Sequence, residues 1–343
     1  MTATVTHSGA ALLALAAGAA GAAVLLASGA DAPGPATGGY LTALMLWSAL
    51  PAGALALLMG TRLFGGGSWA LVVERPLAAA GRTLLPTALL FVPLVLVLPQ
   101  LYPWTDAGWQ AANRTQALYL YTPFFAARTA AVMVLWVALH AWLRRAPGRV
   151  PAAVGLVVYA LTASFAGVDW VLSRDPAFNS SEFGLYFIAH QLLAAFAFAL
   201  LAARLDHASP RQLDALGGLL LAGALAWSYL AYMQYLVVWS GNLPAEAAWY
   251  LRRQAGGWGA AFWAVIVLQA VLPVLVLPLR RVRRSPAALK ALAAGVLLAR
   301  VVESAWLVLP ADAVAAPAVL LTLAALLALG GLWCAMFLAL RRV

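Results

Sequence analysis

Long apolar stretches separated by short polar loops recur along the whole chain. Ten of them are about 20 residues long or longer, which is the length that a helix needs to cross the hydrocarbon core of a bilayer. We predict membrane spans at about 8–29, 40–60, 83–101, 118–143, 151–172, 183–204, 212–240, 256–279, 287–309 and 314–340. The pattern therefore predicts an all-α, polytopic integral membrane protein with a single transmembrane domain over residues 1–343.

Two segments near the start of the chain need a separate interpretation. Residues 69–82 are too polar to insert into a bilayer, and we expect them to lie along the interface as a short amphipathic helix. The stretch 8–29 lacks the positively charged segment that precedes the apolar part of a signal peptide. We therefore expect it to be a retained helix.

The composition supports a membrane protein over a soluble one. Of the 343 residues, 65% are hydrophobic and only 9% are charged, whereas charged residues make up about a quarter of a typical soluble domain. In a soluble protein the net charge of +10 would suggest a nucleic-acid partner. Here basic loops beside a bilayer account for that charge, and we predict the lipid bilayer and no nucleic acid as a partner.

The distribution of the basic residues predicts the orientation of the chain. Of the 21 Lys and Arg residues, fifteen lie in one set of alternate loops, four lie in the other set, and two lie inside spans. Loops that face the cytoplasm are the ones enriched in Lys and Arg. We therefore predict a multi-pass protein of the cytoplasmic membrane with both termini in the cytoplasm.

Ionisable and amide side chains within the spans are the candidate functional groups, because they are costly in lipid and usually face a bundle interior or a wet cavity. At a rise of about 1.5 Å per residue, several of them fall in the outer half of the predicted membrane and the others near its middle. The candidates for a proton path or a quinol site are Asp169, His190, Gln234, Arg128, Arg300 and Glu303.

Each candidate also has a structural interpretation. Arg300 and Glu303 are three residues apart, so they are neighbours on one helix face and form a mutually neutralising pair. Arg128 needs an acidic partner on a neighbouring helix, and Asp169 is the nearest candidate by depth. His190 alone would be a hydrogen-bonded core histidine, but at the level of Asp169 it is equally compatible with a proton relay.

Motifs for resident metals and cofactors are missing from the sequence. With a single cysteine, Cys334, this chain cannot ligate an iron–sulfur cluster through cysteines. Two membrane haems would need four histidines in the core of the bundle, and only His190 is well placed for this. There is neither a GxxxxGK[ST] phosphate loop nor an HExxH metal motif. We predict no catalytic residue with certainty, no metal and no cofactor bound by this chain, with a quinone as the one redox carrier it could bind.

Two stretches resemble a known family. The first is FAGVDWVLSRDP at 165–176 with FGLYF at 183–187, and the second is WSYLAYMQYLVVWSGNLPAEAAWYLRR at 227–253, in which the run from Asn242 to Arg253 is the most specific part. They resemble the ActF-like membrane proteins of alternative complex III, within the wider group of NrfD/PsrC-like quinol-interacting membrane proteins.

The resemblance implies two four-helix bundles, formed by spans two to five and six to nine, with spans one and ten beside them. It implies a membrane component without cofactors in a quinol-oxidising respiratory complex of the bacterial inner membrane. Iron–sulfur and haem c proteins outside the membrane would be its partners, and buried polar groups would conduct protons. Of the charged candidates, Asp169 alone lies in a stretch that carries the resemblance.

Two other functions stay open at this level. A secondary transporter is compatible with ten helices and charges near the midplane, although the sequence shows no pair of Gly/Pro-broken helices at matching places in two halves. A pure assembly scaffold is the third hypothesis, in which the buried polar groups only hold the helices together.

Overall fold

The fold is almost entirely helical in the computed structural model, which describes residues 2–29, 31–311 and 316–341. No strand occurs within these ranges, and ten helices there are long and apolar enough to cross a membrane. The all-α polytopic prediction is thus confirmed. The predicted start of the last span, at 314, lies outside the described residues.

The ten long helices, numbered in chain order, each overlap one of the predicted stretches. They are α1 (Thr2–Gly29), α2 (Pro33–Phe64), α3 (in three segments, Leu84–Leu89, Phe91–Leu96 and Leu98–Leu101), α4 (Thr122–Arg145), α5 (Arg149–Trp170), α6 (Phe183–Ala202), α7 (Pro210–Gly241), α8 (Trp258–Ile266, then the π-helical turn Val267–Val271 and Leu272–Val276), α9 (Pro286–Val308) and α10 (Ala316–Leu340). Shorter helices occupy Gly67–Arg82, Arg114–Tyr119, Pro244–Arg252 and Arg280–Arg283.

The long helices form two four-helix bundles, as the family resemblance implies. α2 to α5 pack together as the first bundle and α6 to α9 as the second, and the bundles meet where α2 and α5 contact α6 and where α2 contacts α9. α1 and α10 pack on each other, and α10 joins the core through α2. α2 is therefore almost fully buried, which fits a helix that is apolar on every side.

Small residues let α2 approach its neighbours closely. A Cβ atom on Gly53 would lie 2.7 Å from the carbonyl carbon of Gln191 in α6, and one on Gly39 would lie 3.0 Å from the backbone nitrogen of Thr322 in α10. Helices in lipid gain their affinity for each other from this kind of backbone contact, because lipid tails are as apolar as the side chains. The glycines therefore explain why α2 occupies the centre.

Prolines interrupt α3. Its segments end near Leu90 and Val97, shortly before Pro93 and Pro99, and a proline removes one backbone hydrogen bond and clashes with the carbonyl one turn before it. At the first break, the Tyr40 hydroxyl donates a hydrogen bond to the Leu90 carbonyl over 2.6 Å. Such partners make a broken helix tolerable inside a membrane protein.

The helix Gly67–Arg82 lies across one end of the two bundles. Near its start, the Ser68 carbonyl accepts a hydrogen bond from Gln212 in the first turn of α7, and at its end Arg82 donates to the Leu340 carbonyl in the last turn of α10. Because α7 begins and α10 ends at the same end of the molecule, both ends of this 16-residue helix are held at one level. By length and composition, residues Gly67–Leu96 also qualify together as one candidate span, and the interfacial position of this helix stays a prediction.

The opposite end is closed by the loops after α5 and α7. The Arg253 guanidinium lies 3.6 Å above the Trp249 ring and donates to the Leu307 carbonyl over 2.8 Å. Asp175 accepts from Arg252, so the two stretches that carry the family resemblance are joined by an ion pair. Phe178 stacks on Trp249 with 4.5 Å between ring centroids. These contacts cover the C-terminal end of α9.

The contact between α1 and α10 depends on glycine. A Cβ atom on Gly21 would lie 2.7 Å from the Ala328 backbone nitrogen, whereas one on Gly9 of the same helix would meet nothing within 4 Å. We expect Gly21→Leu to lower the free energy of unfolding by about 1–3 kcal/mol through overpacking, measured by SDS titration in mixed micelles. Gly9→Leu is the matched control and should change nothing. Equal stability of the two variants would contradict this packing.

Candidate functional site

An ion pair lies in the interior of the second bundle, on α9. Arg300 Nη1 contacts Glu303 Oε2, and the two residues are 0% and 1% exposed. Their separation of three residues puts them on one helix face, so the ion pair predicted from the sequence is confirmed. A charge buried this deeply must be paired and hydrogen-bonded to be tolerated.

Three further side chains from α6 and α7 converge on the Glu303 carboxylate. The Tyr186 hydroxyl and the Trp227 Nε1–H, which lies 2.8 Å away, both donate to Oε1, while His190 Nδ1 lies 2.6 Å from Oε2. Each carboxylate oxygen therefore has two partners. We call these five residues, Tyr186, His190, Trp227, Arg300 and Glu303, the Glu303 cluster.

Tyr186 and Trp227 are not among the residues predicted from the sequence, although helical spacing contains a signal for both. Tyr186 lies four residues before His190, so the two side chains share a face of α6. Trp227 lies seven residues before Gln234, which is two turns along the same face of α7. An aromatic residue with a polar hydrogen on the face of a buried ionisable group is a reasonable donor to its partner.

The Glu303 cluster carries no net charge when Glu303 is ionised and His190 is neutral. In that state His190 Nδ1 bears the hydrogen and donates it to the carboxylate, because an ionised carboxylate can only accept. Arg300 Nη1, 3.4 Å from the same ring nitrogen, cannot then donate to it. His190 Nε2 has no hydrogen-bond partner among the described residues. One added proton between Glu303 and His190 would make the cluster positive.

A narrow cavity of about 30 Å³ reaches Glu303 from within the second bundle. Aromatic rings form most of its wall, and Gln234, Tyr235 and Tyr250 also line it. The side-chain oxygen of Gln234 is buried and has no partner within the described residues, while its amide nitrogen lies 3.4 Å from the Tyr250 hydroxyl. The volume and these polar groups suit a small number of water molecules.

Arg128 and Asp169 form a second buried pair, in the first bundle between α4 and α5. Arg128 Nε and Nη2 donate to the two carboxylate oxygens over 2.8 and 2.9 Å, and Nη1 donates to the Tyr119 carbonyl. The guanidinium carbon lies 3.9 Å from the centre of the Tyr119 ring. The pairing predicted by depth is confirmed, and its bidentate geometry uses both oxygens of Asp169.

The structure thus divides the predicted candidates into two groups. His190, Arg300 and Glu303 meet in the second bundle, with Gln234 on the cavity that leads to them, while Arg128 and Asp169 meet in the first. The sequence analysis placed His190 at the level of Asp169, but the acidic partner of His190 is Glu303 on α9. The depth of a residue in the membrane cannot show which of two helices at the same level supplies its partner.

Gln269 is buried in the middle of α8, and both polar atoms of its side chain are without a partner among the described residues. It lies on the π-helical turn, and Pro273, four residues later, cannot donate the usual backbone hydrogen bond to its carbonyl. Turns of this kind are frequent at functional sites.

Within the described residues, no group of three or more His, Cys, Asp or Glu side chains could hold a metal ion.

The hydroxyl of Tyr186 offers a conservative test of the cluster. Tyr186→Phe removes one hydrogen bond to the Glu303 carboxylate without changing the shape of the ring, and we expect it to cost about 1.5–3 kcal/mol of unfolding free energy, as for other hydrogen bonds to charged groups. Tyr232→Phe is the control, since Tyr232 is 60% exposed on α7. SDS titration of both variants gives the comparison, and an unchanged Tyr186→Phe variant would contradict the assigned bond.

The two stretches that resemble the ActF-like proteins supply much of this region, including Tyr186, Trp227, Gln234 and Tyr250. Arg300 and Glu303 come from α9, outside those stretches. Comparison of the chain with protein-family models gives no match, and no curated protein matches it either.

Proposed function

We propose that this chain is a cofactor-free membrane component of a quinol-oxidising respiratory complex of the alternative complex III type. In this proposal it anchors extracytoplasmic redox proteins in the bilayer and takes up and releases protons at the Glu303 cluster. Membership of such a complex rests on the resemblance of the stretches 165–187 and 227–253. The observation that supports proton transfer is the contact between Glu303 and His190, where Glu303 also lines a cavity together with Gln234 and Tyr250.

The geometry of the cluster suits reversible uptake of one proton. A water molecule between Gln234 and Glu303 would deliver the proton to the carboxylate and take it back, while His190 Nδ1, 2.6 Å from Oε2, keeps its own hydrogen. The Arg300 charge stays in place and holds Glu303 ionised between transfers.

The size of the cavity favours proton binding over quinol binding at Glu303. A volume of about 30 Å³ holds water, whereas the pockets of drug-sized ligands span about 300–1,000 Å³. We therefore place quinol oxidation on another chain of the complex. The same volume argues against a transported solute larger than an ion or water.

The broken helices also argue against a secondary transporter. α3 is broken at prolines and α8 carries a π-helical turn, but α3 is the second helix of its bundle and α8 the third. Transporters built from repeats place their broken helices at corresponding positions of the two halves. The breaks in this protein do not correspond.

Purification from native membranes tests the proposal directly. The tagged protein would be extracted in mild detergent, its co-purifying chains identified by mass spectrometry, and a reduced-minus-oxidised spectrum recorded. We expect haem c and iron–sulfur proteins to co-purify and to be reduced by quinol. A colourless single chain that remains stable and monodisperse would overturn membership of a respiratory complex, and proton uptake by that chain in vesicles would then separate transport from a pure scaffold.

A further inference from the structure

Four arginines lie between α8 and α9, at the end of the molecule crossed by the helix Gly67–Arg82. Arg283 pairs with Asp214 of α7 over 2.9 Å, and Arg284 lies 3.9 Å from the same carboxylate. Arg280 and Arg281 are exposed and form neither an ion pair nor a side-chain hydrogen bond within the described residues. The single acidic residue that the segment contacts is therefore already occupied, and two guanidinium groups are left without a counter-charge.

An exposed apolar stripe on α8 runs directly up to these two arginines. Leu272 and Leu275 are 39% and 68% exposed, and their spacing of three residues keeps them on one face of α8. Leu279, 48% exposed, follows in the loop between the end of α8 at Val276 and the arginines. α8 is also the least buried helix of the second bundle. Unpaired positive charge at one end and a long apolar surface below it form one continuous feature.

We propose that this corner of the protein binds an anionic phospholipid of the adjacent leaflet. The phosphate is held by Arg280 and Arg281, since the planar guanidinium matches two phosphate oxygens at once. An acyl chain lies along the leucine stripe of α8. Basic sites between membrane helices are known to select anionic head groups in this way.

The alternative explanation is that the arginines only contribute to the general excess of basic residues in loops on this side. Another loop at the same end allows the comparison. Arg204 and Arg211 are also exposed, but the nearest leucines on either side of Arg211, Leu205 and Leu213, are 0% and 4% exposed. The first exposed leucine of α7, Leu219, lies about two turns beyond Arg211, so the head group and the acyl chain of one lipid fit better at the α8 corner than at this loop.

A lipid bound at this corner would stabilise the contact between α7 and the loop that follows α8. The Arg283 side chain lies across Gly217 of α7, where a Cβ atom would be 2.7 Å from Arg283 Cγ. Together with the Asp214 contact, this is the attachment of the α8–α9 loop to α7. A phosphate with its one negative charge between Arg280 and Arg281 lowers the repulsion among the four adjacent cations, and the protein should become more stable on binding it.

The test uses the delipidated full-length protein in mild detergent, with phosphatidylglycerol or phosphatidylcholine of identical acyl chains as probes. We expect phosphatidylglycerol alone to raise the unfolding temperature and to remain bound in native mass spectrometry. In the double variant Arg280→Gln and Arg281→Gln, its affinity should fall about 30-fold, as for the loss of two charge contacts at a membrane surface. Arg204→Gln with Arg211→Gln should retain the wild-type affinity.

Three outcomes would overturn the proposal. Equal losses of affinity in the two double variants would mean that loop charge alone attracts the lipid. Equal stabilisation by phosphatidylcholine would remove the role of the arginines, and equal competition by water-soluble glycerol phosphate would remove the role of the leucine stripe. Leu275→Ser gives an independent test of that stripe, because it leaves all four arginines in place and should still weaken phosphatidylglycerol binding.

Discussion

Glu303→Gln is expected to lower the free energy of unfolding by about 3–5 kcal/mol, as for other buried ion pairs that lose one partner. The glutamine oxygen can still accept from Tyr186 and Trp227. Its amide group, however, occupies the position of Oε2, next to Arg300 Nη1 and His190 Nδ1. Arg300 is then a buried charge without a counter-ion. SDS titration in mixed micelles measures the loss.

The same substitution removes the group that we propose to carry the proton, so stability and turnover must be separated. In the double variant Arg300→Met with Glu303→Gln, the unpaired charge is absent and the glutamine amide can donate to His190 Nδ1. We expect most of the stability to return, while quinol oxidation by the assembled complex remains about 100-fold below that of the wild type, the usual order for loss of an acid–base group. Recovery of turnover together with stability would mean that the cluster is only structural.

Asp169→Asn is expected to lower stability but not turnover, which is the reverse of the result for the double variant Arg300→Met with Glu303→Gln. Arg128 loses its bidentate partner, and because Asp169 is 1% exposed we expect a loss of about 3 kcal/mol of unfolding free energy. Turnover per assembled complex should stay at the wild-type level, because both carboxylate oxygens are occupied by Arg128 and the partner of His190 is Glu303.

Arg128→Gln with Asp169→Asn is the matched control, since it removes both charges and should recover part of the stability. Solubilised membranes would provide the fraction assembled, and quinol oxidation would be normalised to it. A strong fall in turnover at normal assembly would move the proton path to Asp169 and the first bundle. The variants of the two ion pairs therefore show which bundle only stabilises the structure and which one takes up protons.

The sequence by itself determined the class of the protein and much of its local organisation. Apolar runs of about 20 residues can satisfy their backbone hydrogen bonds in lipid only as helices, so ten spans could be predicted from composition and length. The Arg300–Glu303 pair was predictable because its spacing of three residues is a property of one helix. The depth of Arg128 and Asp169 sufficed to pair them, since they lie on helices that are consecutive in the chain.

Only the tertiary structure decided which helices meet around Glu303. His190 is 113 residues away from Glu303 in the chain and Trp227 is 76 residues away, and no periodicity within a helix specifies its neighbours. That choice depends on close backbone packing, in which Gly53 of α2 sits against Gln191 of α6 beside His190. Helices in lipid associate through such shape complementarity and not through hydrophobicity. The apolar pattern therefore predicts that each helix spans the membrane, whereas packing in three dimensions determines where its polar face points.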